Sequence, residues 1–177
     1  MSLLDPKERS QRGEALQAKL TGRASPEPET LYQSSWRDYI FAEIWERPGL
    51  DLRSRFLISI ASAAESGQRS EQLDGYVRGA LKNEALTQLE LREVALHSAI
   101  YGGWDSGAAI DEAITRVEQE LGLERQNFEP VRAQAWDPEQ RLKDGAKGFH
   151  DVMTFGGPPP IAPYFTNGIL NFVFGET

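Results

Sequence analysis

His97 shares one face of a predicted helix with Val94, Tyr101 and Trp104, which follow one another at steps of three and four residues. An imidazole set among aromatics can move a proton near neutral pH, or it can be a core histidine bonded to a carbonyl; the spacing fits both. His97 and His150 are the only histidines, and the chain has no cysteine. Disulfides, thiolate catalysis and Cys-ligated metals are therefore excluded, and a metal site would have to lean on carboxylates at a spacing the chain does not show. No Gly-rich phosphate loop or dinucleotide fingerprint occurs, so no cofactor is expected.

The elements that must position such groups read as helices throughout. Glu8 to Leu20 is a polar-rich first helix, followed by a loop holding Pro26 and Pro28. A second helix is expected from about Thr30 to Trp45, stopped by Arg47-Pro48-Gly49. Asp51 caps a helix from Leu52 to about Glu65; Gly67 ends it, and Ser70 caps the next, Glu71 to Leu81. Thr87-Gln88-Leu89-Glu90 is a capping box that opens a helix through Tyr101, broken by Gly102-Gly103. Asp105 is placed to cap the last helix of this series, with Ala109, Ile110, Ala113, Ile114, Val117 and Leu121 at helical spacing and Gly122 closing it. No stretch alternates like a strand.

The 177 residues suit one domain with an appendage. Nineteen basic against 27 acidic residues give a net charge of −8, which disfavours nucleic acid and anionic membrane as partners. The charged start lacks the apolar core of a signal peptide, and the apolar stretch near Phe56 to Ala64 is too short to span a bilayer, so a cytoplasmic location is expected. Beyond Gly122 the chain begins again. Asp137-Pro138-Glu139-Gln140-Arg141 and Gly145 echo Asp5-Pro6-Lys7-Glu8-Arg9 and Gly13. After one inserted residue, Phe172-Val173-Phe174-Gly175-Glu176 echoes Tyr39-Ile40-Phe41-Ala42-Glu43. The expected division is 1–123 for the helical domain and 124–177 for an appendage resembling the start of a second repeat. Gly156-Gly157-Pro158-Pro159-Pro160 should form a stiff loop between the appendage helices.

Two segments, Glu43 to Arg55 (EIWERPGLDLRSR) and Arg78 to Trp104, resemble the carboxymuconolactone decarboxylase family. That family has an all-α fold which also houses alkyl-hydroperoxide-reductase-D-like peroxidases, and the likeness runs from about Glu8 to Leu121. It implies an all-α orthogonal bundle that assembles as a trimer or hexamer. In the peroxidase branch a helix start carries Cys-x-x-Cys-x-x-x-His. Anchored on Arg78-Gly79-Ala80-Leu81, those cysteines fall on Arg69 and Gln72, the His on Tyr76, and an upstream Glu on or near Phe56. Every member of that relay is substituted, so thiol peroxidase chemistry is not expected.

The cysteine-free branch is similar to 4-carboxymuconolactone decarboxylases, which act without cofactor on a small unsaturated lactone acid. Its motif His-x-Arg-Gly-Ala-Leu is met here except that Tyr76 replaces the His. Such a reaction needs a carboxylate seat, a wall that disfavours solvating the carboxylate, and a proton donor. The resemblance leaves His97, Tyr76 and Glu43 as the candidates for proton handling. It offers Arg47, Arg53, Arg55 or Arg78 as the seat and Phe56, Trp45, Tyr101 and Trp104 as substrate-contacting walls. The bland readings are a core His97, a Glu43 paired to an arginine, and an Arg78 packed on an acidic neighbour. The partner expected is a small-molecule carboxylic acid. The alternative is a non-catalytic small-molecule-binding or assembly subunit on the same fold.

Overall fold

The computed structural model describes residues 5–65, 70–126, 136–156 and 165–175, and all the regular structure among them is helical. The chain forms two compact units, 1–126 and 127–177.

In the first unit each helix begins where a side chain can satisfy free amides. Helix α1 (Pro6–Thr21) starts with Asp5 accepting from the Lys7 amide at 2.9 Å and ends at Gly22, whose φ of 71° turns the chain out of the helix. Thr30 caps α2 (Leu31–Ser35), Asp51 caps α3 (Leu52–Ala64) and Ser70 caps α4 (Glu71–Lys82). The capping box closes in both directions at the head of α5 (Gln88–Tyr101). Helix α6 (Trp104–Leu121) departs from expectation. Its cap is Gly103 at φ 97°, and Asp105 lies inside the first turn rather than ahead of it. An acid there faces the helix dipole without accepting a cap bond. The Gly67 stop lies outside the described residues.

The expected single helix from Thr30 to Trp45 is also two kinds of turn. After Ser35 the backbone widens into a π-helix, Trp36–Ile44, in which the Trp45 amide reaches back five residues to Ile40 O at 3.1 Å. Residues five apart then approach each other, and the Trp36 and Phe41 rings meet edge-on with centroids 6.3 Å apart. Phe41 and Trp45 consequently both point into the core.

That core holds Phe41, Phe56, Ile60, Leu73, Val77, Leu91, Ile110 and Ile114, all essentially without solvent contact. Helix α1 lies against both the π-helix and α4, while α6 packs on α4 and α5. The crossing of α1 over α4 depends on Gly79, where a Cβ would fall inside van der Waals contact of the Leu20 carbonyl. Gly79→Ala is expected to cost about 1–3 kcal/mol through forced separation of these helices. A urea unfolding midpoint equal to wild type would show that the helices part freely.

In the second unit α7 (Pro138–Met153) runs 16 residues like α1, with Asp137 accepting from the Glu139 and Gln140 amides and Thr154 left-handed at φ 64°. It packs on a second π-helix, Phe165–Val173. Gly13 and Gly145, which the sequence echo aligns, each press on a backbone carbonyl of the neighbouring π-helix, that of Arg37 and that of Leu170. Phe149 sits edge-on to Phe155, Phe165 and Phe174 at 5.3–5.6 Å. Of the loop around Pro158 to Pro160, only Gly156 lies within the described residues.

Candidate functional site

Tyr76 is the centre of the arrangement in the first unit. It stands on α4 four residues after Gln72, a spacing that stacks the two side chains on one helix face. The Gln72 amide donates to the phenol oxygen at 3.3 Å, which leaves the phenolic O–H free to donate elsewhere. Trp45 lies 5.9 Å from the Tyr76 ring and 5.1 Å from Phe56, so the phenol's inner side is aromatic and dry. Burial pushes the Tyr76 phenol above its ordinary value, and the Gln72 bond offsets only part of that rise. At neutral pH it is a protonated donor.

Tyr76 opens onto a cavity of about 710 Å³ between α1, the 22–30 loop, the π-helix and α4. Trp36 and Phe41 form its apolar side, and Gln17, Gln33 and Gln72 offer amides. Tyr76, Gln72 and Trp36 also border a smaller cavity of about 410 Å³ against Ser59 and Ser62 of α3, and so form the partition between the two spaces.

Three arginines face the larger cavity: Arg23, Arg37 and Arg78. Arg37 is bound to Asp38 at 2.7 Å. Arg78 is 3% exposed, and its fork donates to both carboxylate oxygens of Glu120, at 2.9 and 2.8 Å. Its remaining nitrogen reaches Thr21 O at 3.3 Å. Arg23 donates to the same Glu120 carboxylate at 3.2 and 2.8 Å. The Arg78 hydrogen bond, helped by Arg23, holds Glu120 below the usual carboxylate range.

Of the residues singled out in the sequence, the structure brings together Tyr76, Trp45, Phe56 and Arg78. It takes His97 elsewhere. Helix α5 turns Leu91, Ala95 and Ala99 inward, and His97, two residues from Ala99, points to the opposite side. The imidazole is exposed and touches the Tyr101 ring at 4.7 Å. Tyr101 and Trp104 are exposed on the surface, so they form no wall to this cavity. Glu43 is half-buried with its carboxylate 4.0 Å from Arg9, and it does not line the cavity. Arg53 clips α3 to the capping box through Glu90 at 2.8 Å, and Arg47 is exposed. Arg55 donates to the Ile44 and Arg47 carbonyls and caps the end of the π-helix. Among the described residues no cluster of His, Asp and Glu could hold a metal, and no helix is long and apolar enough to cross a membrane.

Sequence reasoning did not reach Arg23 or the face formed by Trp36 and Phe41. The i, i+4 spacing of Gln72 and Tyr76 could have marked Gln72 as a partner of the phenol; for Arg23, in a loop, no periodicity exists to read.

The profile of the Carboxymuconolactone decarboxylase family matches residues 30–116. The 4-carboxymuconolactone decarboxylase of Acinetobacter baylyi is 30% identical over 92 residues, spanning 52% of this chain and 67% of that protein. The nitrosuccinic acid decarboxylase of Metarhizium robertsii is 37% identical over 70 residues, 39% of this chain and 47% of its own length. The chain thus spans about two thirds of one relative and about half of the other. No solved structure matches it.

Proposed function

The chain belongs to the Carboxymuconolactone decarboxylase family, and on that premise we propose that it is a cofactor-independent decarboxylase of a small carboxylic acid, working at Tyr76. The observation that carries the reading is a protonated phenol, backed by Trp45 and Phe56, opening onto a cavity of about 710 Å³. The bond between the carboxylate and its carbon breaks, CO2 leaves, and the electron pair stays on carbon as a carbanion or dienolate. The Tyr76 O–H supplies the proton that this carbon takes up, and solvent reprotonates the phenolate. The aromatic backing disfavours a solvated carboxylate and so favours its departure.

The names of the two relatives suggest the acids to try. CO2 release and substrate loss should be followed with 4-carboxymuconolactone and with nitrosuccinic acid, with no cofactor added. Turnover of either acid is the expected result; binding of both without CO2 release would reject the reaction. A second reading, a non-catalytic small-molecule-binding or assembly subunit, is favoured by one observation: the first unit's only histidine, His97, lies away from the cavity. Exposure of Tyr101 and Trp104 supports the expected trimer or hexamer rather than a substrate wall.

A further inference from the structure

The Tyr76 ring is 4% exposed and packs against Trp45 at 5.9 Å, so little of this side chain is free to move except its hydroxyl hydrogen. Conjugation with the ring keeps that hydrogen near the ring plane, on one side of the oxygen or the other. Gln72, one turn earlier on α4, donates its amide to the oxygen at 3.3 Å. Among the described residues this is the one hydrogen bond that the phenol oxygen receives. Gln72 is itself exposed, so core packing does not keep it there. Ser70 accepts from the Leu73 amide at 3.0 Å and thereby fixes the first turn of α4, from which Gln72 projects. Gln72 and Tyr76 border both cavities, so the side of the oxygen that the amide occupies decides which way the proton faces.

We propose that Gln72 is a positioning residue for Tyr76: its amide occupies one side of the phenol oxygen, turns the O–H to the other, and holds the phenolate after the proton has left. This role rests on the decarboxylase reading of the cavity. The O–H bond breaks, the proton passes to the substrate carbon that CO2 has left, and the electron pair stays on the Tyr76 oxygen until solvent returns a proton. An amide donor bonds that oxygen more strongly once it is an anion, so the bond tightens as the proton departs. Burial raises the phenol's value and the Gln72 bond lowers it, the sign expected of a donor that favours the anion. The cations of the larger cavity are engaged elsewhere, Arg37 with Asp38 and both Arg23 and Arg78 with Glu120. Glu27, Glu29 and Glu71 stand on its exposed rim, where their charge can only oppose a phenolate. Ser59 and Ser62 bring hydroxyls but no charge to the smaller cavity. Gln72 is therefore the donor that meets the new anion.

The test uses the full chain with fluorotyrosine in place of tyrosine, whose phenol ionises in milder alkali, and follows the Tyr76 signal by fluorine NMR. Its loss in Tyr76→Phe identifies that signal. Gln72→Leu should move the Tyr76 titration up by about one pH unit, the size of one hydrogen bond to a charged group. Gln72→Glu keeps the shape but puts an acceptor where the donor stood, so it should move the titration at least as far; a glutamine that only fills space would tolerate it. In unlabelled protein each variant should lower kcat by about tenfold, with KM changed by less than about threefold. A Tyr76 titration unmoved in Gln72→Leu, or a Gln72→Glu variant indistinguishable from wild type, would overturn the assignment. If Gln72→Leu is unfolded by circular dichroism, Gln72→Glu decides alone. Shifted titrations in a protein that releases no CO2 from either acid would reject the reaction and, with it, the part of Gln72 in catalysis, leaving only a bond that orients the phenol. Turnover with both titrations unmoved would keep the reaction and reject the bond.

Discussion

Tyr76→Phe is expected to lower kcat by about 10²- to 10⁴-fold, the usual effect of losing a positioned proton donor, while the protein stays folded. The substitution keeps the ring between Trp45 and Gln72 and removes only the hydroxyl, so the aromatic packing at 5.9 Å survives. Substrate affinity should change far less than turnover, because the proton is transferred in the transition state. The pH dependence follows from the sign of the shift. Burial raises the phenol's folded value above its ordinary ~10, so its contribution to stability is full below that pH and is lost as pH rises through the folded value. Wild type should therefore lose stability in strong alkali by a route that Tyr76→Phe lacks. Turnover by Tyr76→Phe within threefold of wild type would remove the phenol from the mechanism.

Phe56→Ala should be the most damaging single change to the fold of the first unit, at about 3–5 kcal/mol. The ring has no solvent contact, supports Trp45 and lies where a Cβ added to Gly79 would stand 3.1 Å from it, at the crossing of α1 and α4. The space left behind is bounded by a helix crossing already at its closest approach, so relaxation can recover little of it. Denaturant unfolding measures the loss directly. A cost below about 1 kcal/mol would mean that the core collapses onto the gap. Because the same ring backs the Tyr76 site through Trp45, kcat should fall as well, in protein that is still folded at low temperature.

The two substitutions separate chemistry from support. Tyr76→Phe should be nearly silent in unfolding and loud in turnover, and Phe56→Ala should disturb both. Reversal of that pattern would point to the second reading, in which the cavity binds without reacting.

Much of the helical framework was legible in the sequence, because helix ends are decided by side chains close to them. Asp51, Ser70 and the Thr87–Glu90 box each act within three residues of the amide they satisfy, and the structure has each bond. Gly122 ends α6 in the left-handed conformation that glycine adopts without strain. The family resemblance was legible too, since its segments carry Trp45 and Arg78 and border Phe56 and Tyr76, and the fold collects all four around one phenol.

What the sequence left open depended on contacts between distant residues. Helix α5 has apolar residues on more than one side, among them Leu91, Val94, Leu96 and Ala99, so its periodicity could not say which face is buried. Packing against α6 chose the side bearing Leu91, Ala95 and Ala99, and that choice sent His97 and Tyr101 outward, whereas Trp104 shares no helix with them and stands exposed at the start of α6. The π-helical turn at Trp36–Ile44 was equally hidden, since the same residues suit an ordinary helix and only packing on α1 and the core favours the wider turn. Arg78 meets Glu120 across 42 positions, and Arg23 meets it across 97. By itself the sequence determined where most of the helices begin and end and which family their pattern matches, because those depend on neighbours along the chain. Tertiary structure alone decided which polar groups share a cavity and which charges pair beside it, because charge pairing depends on distance in space.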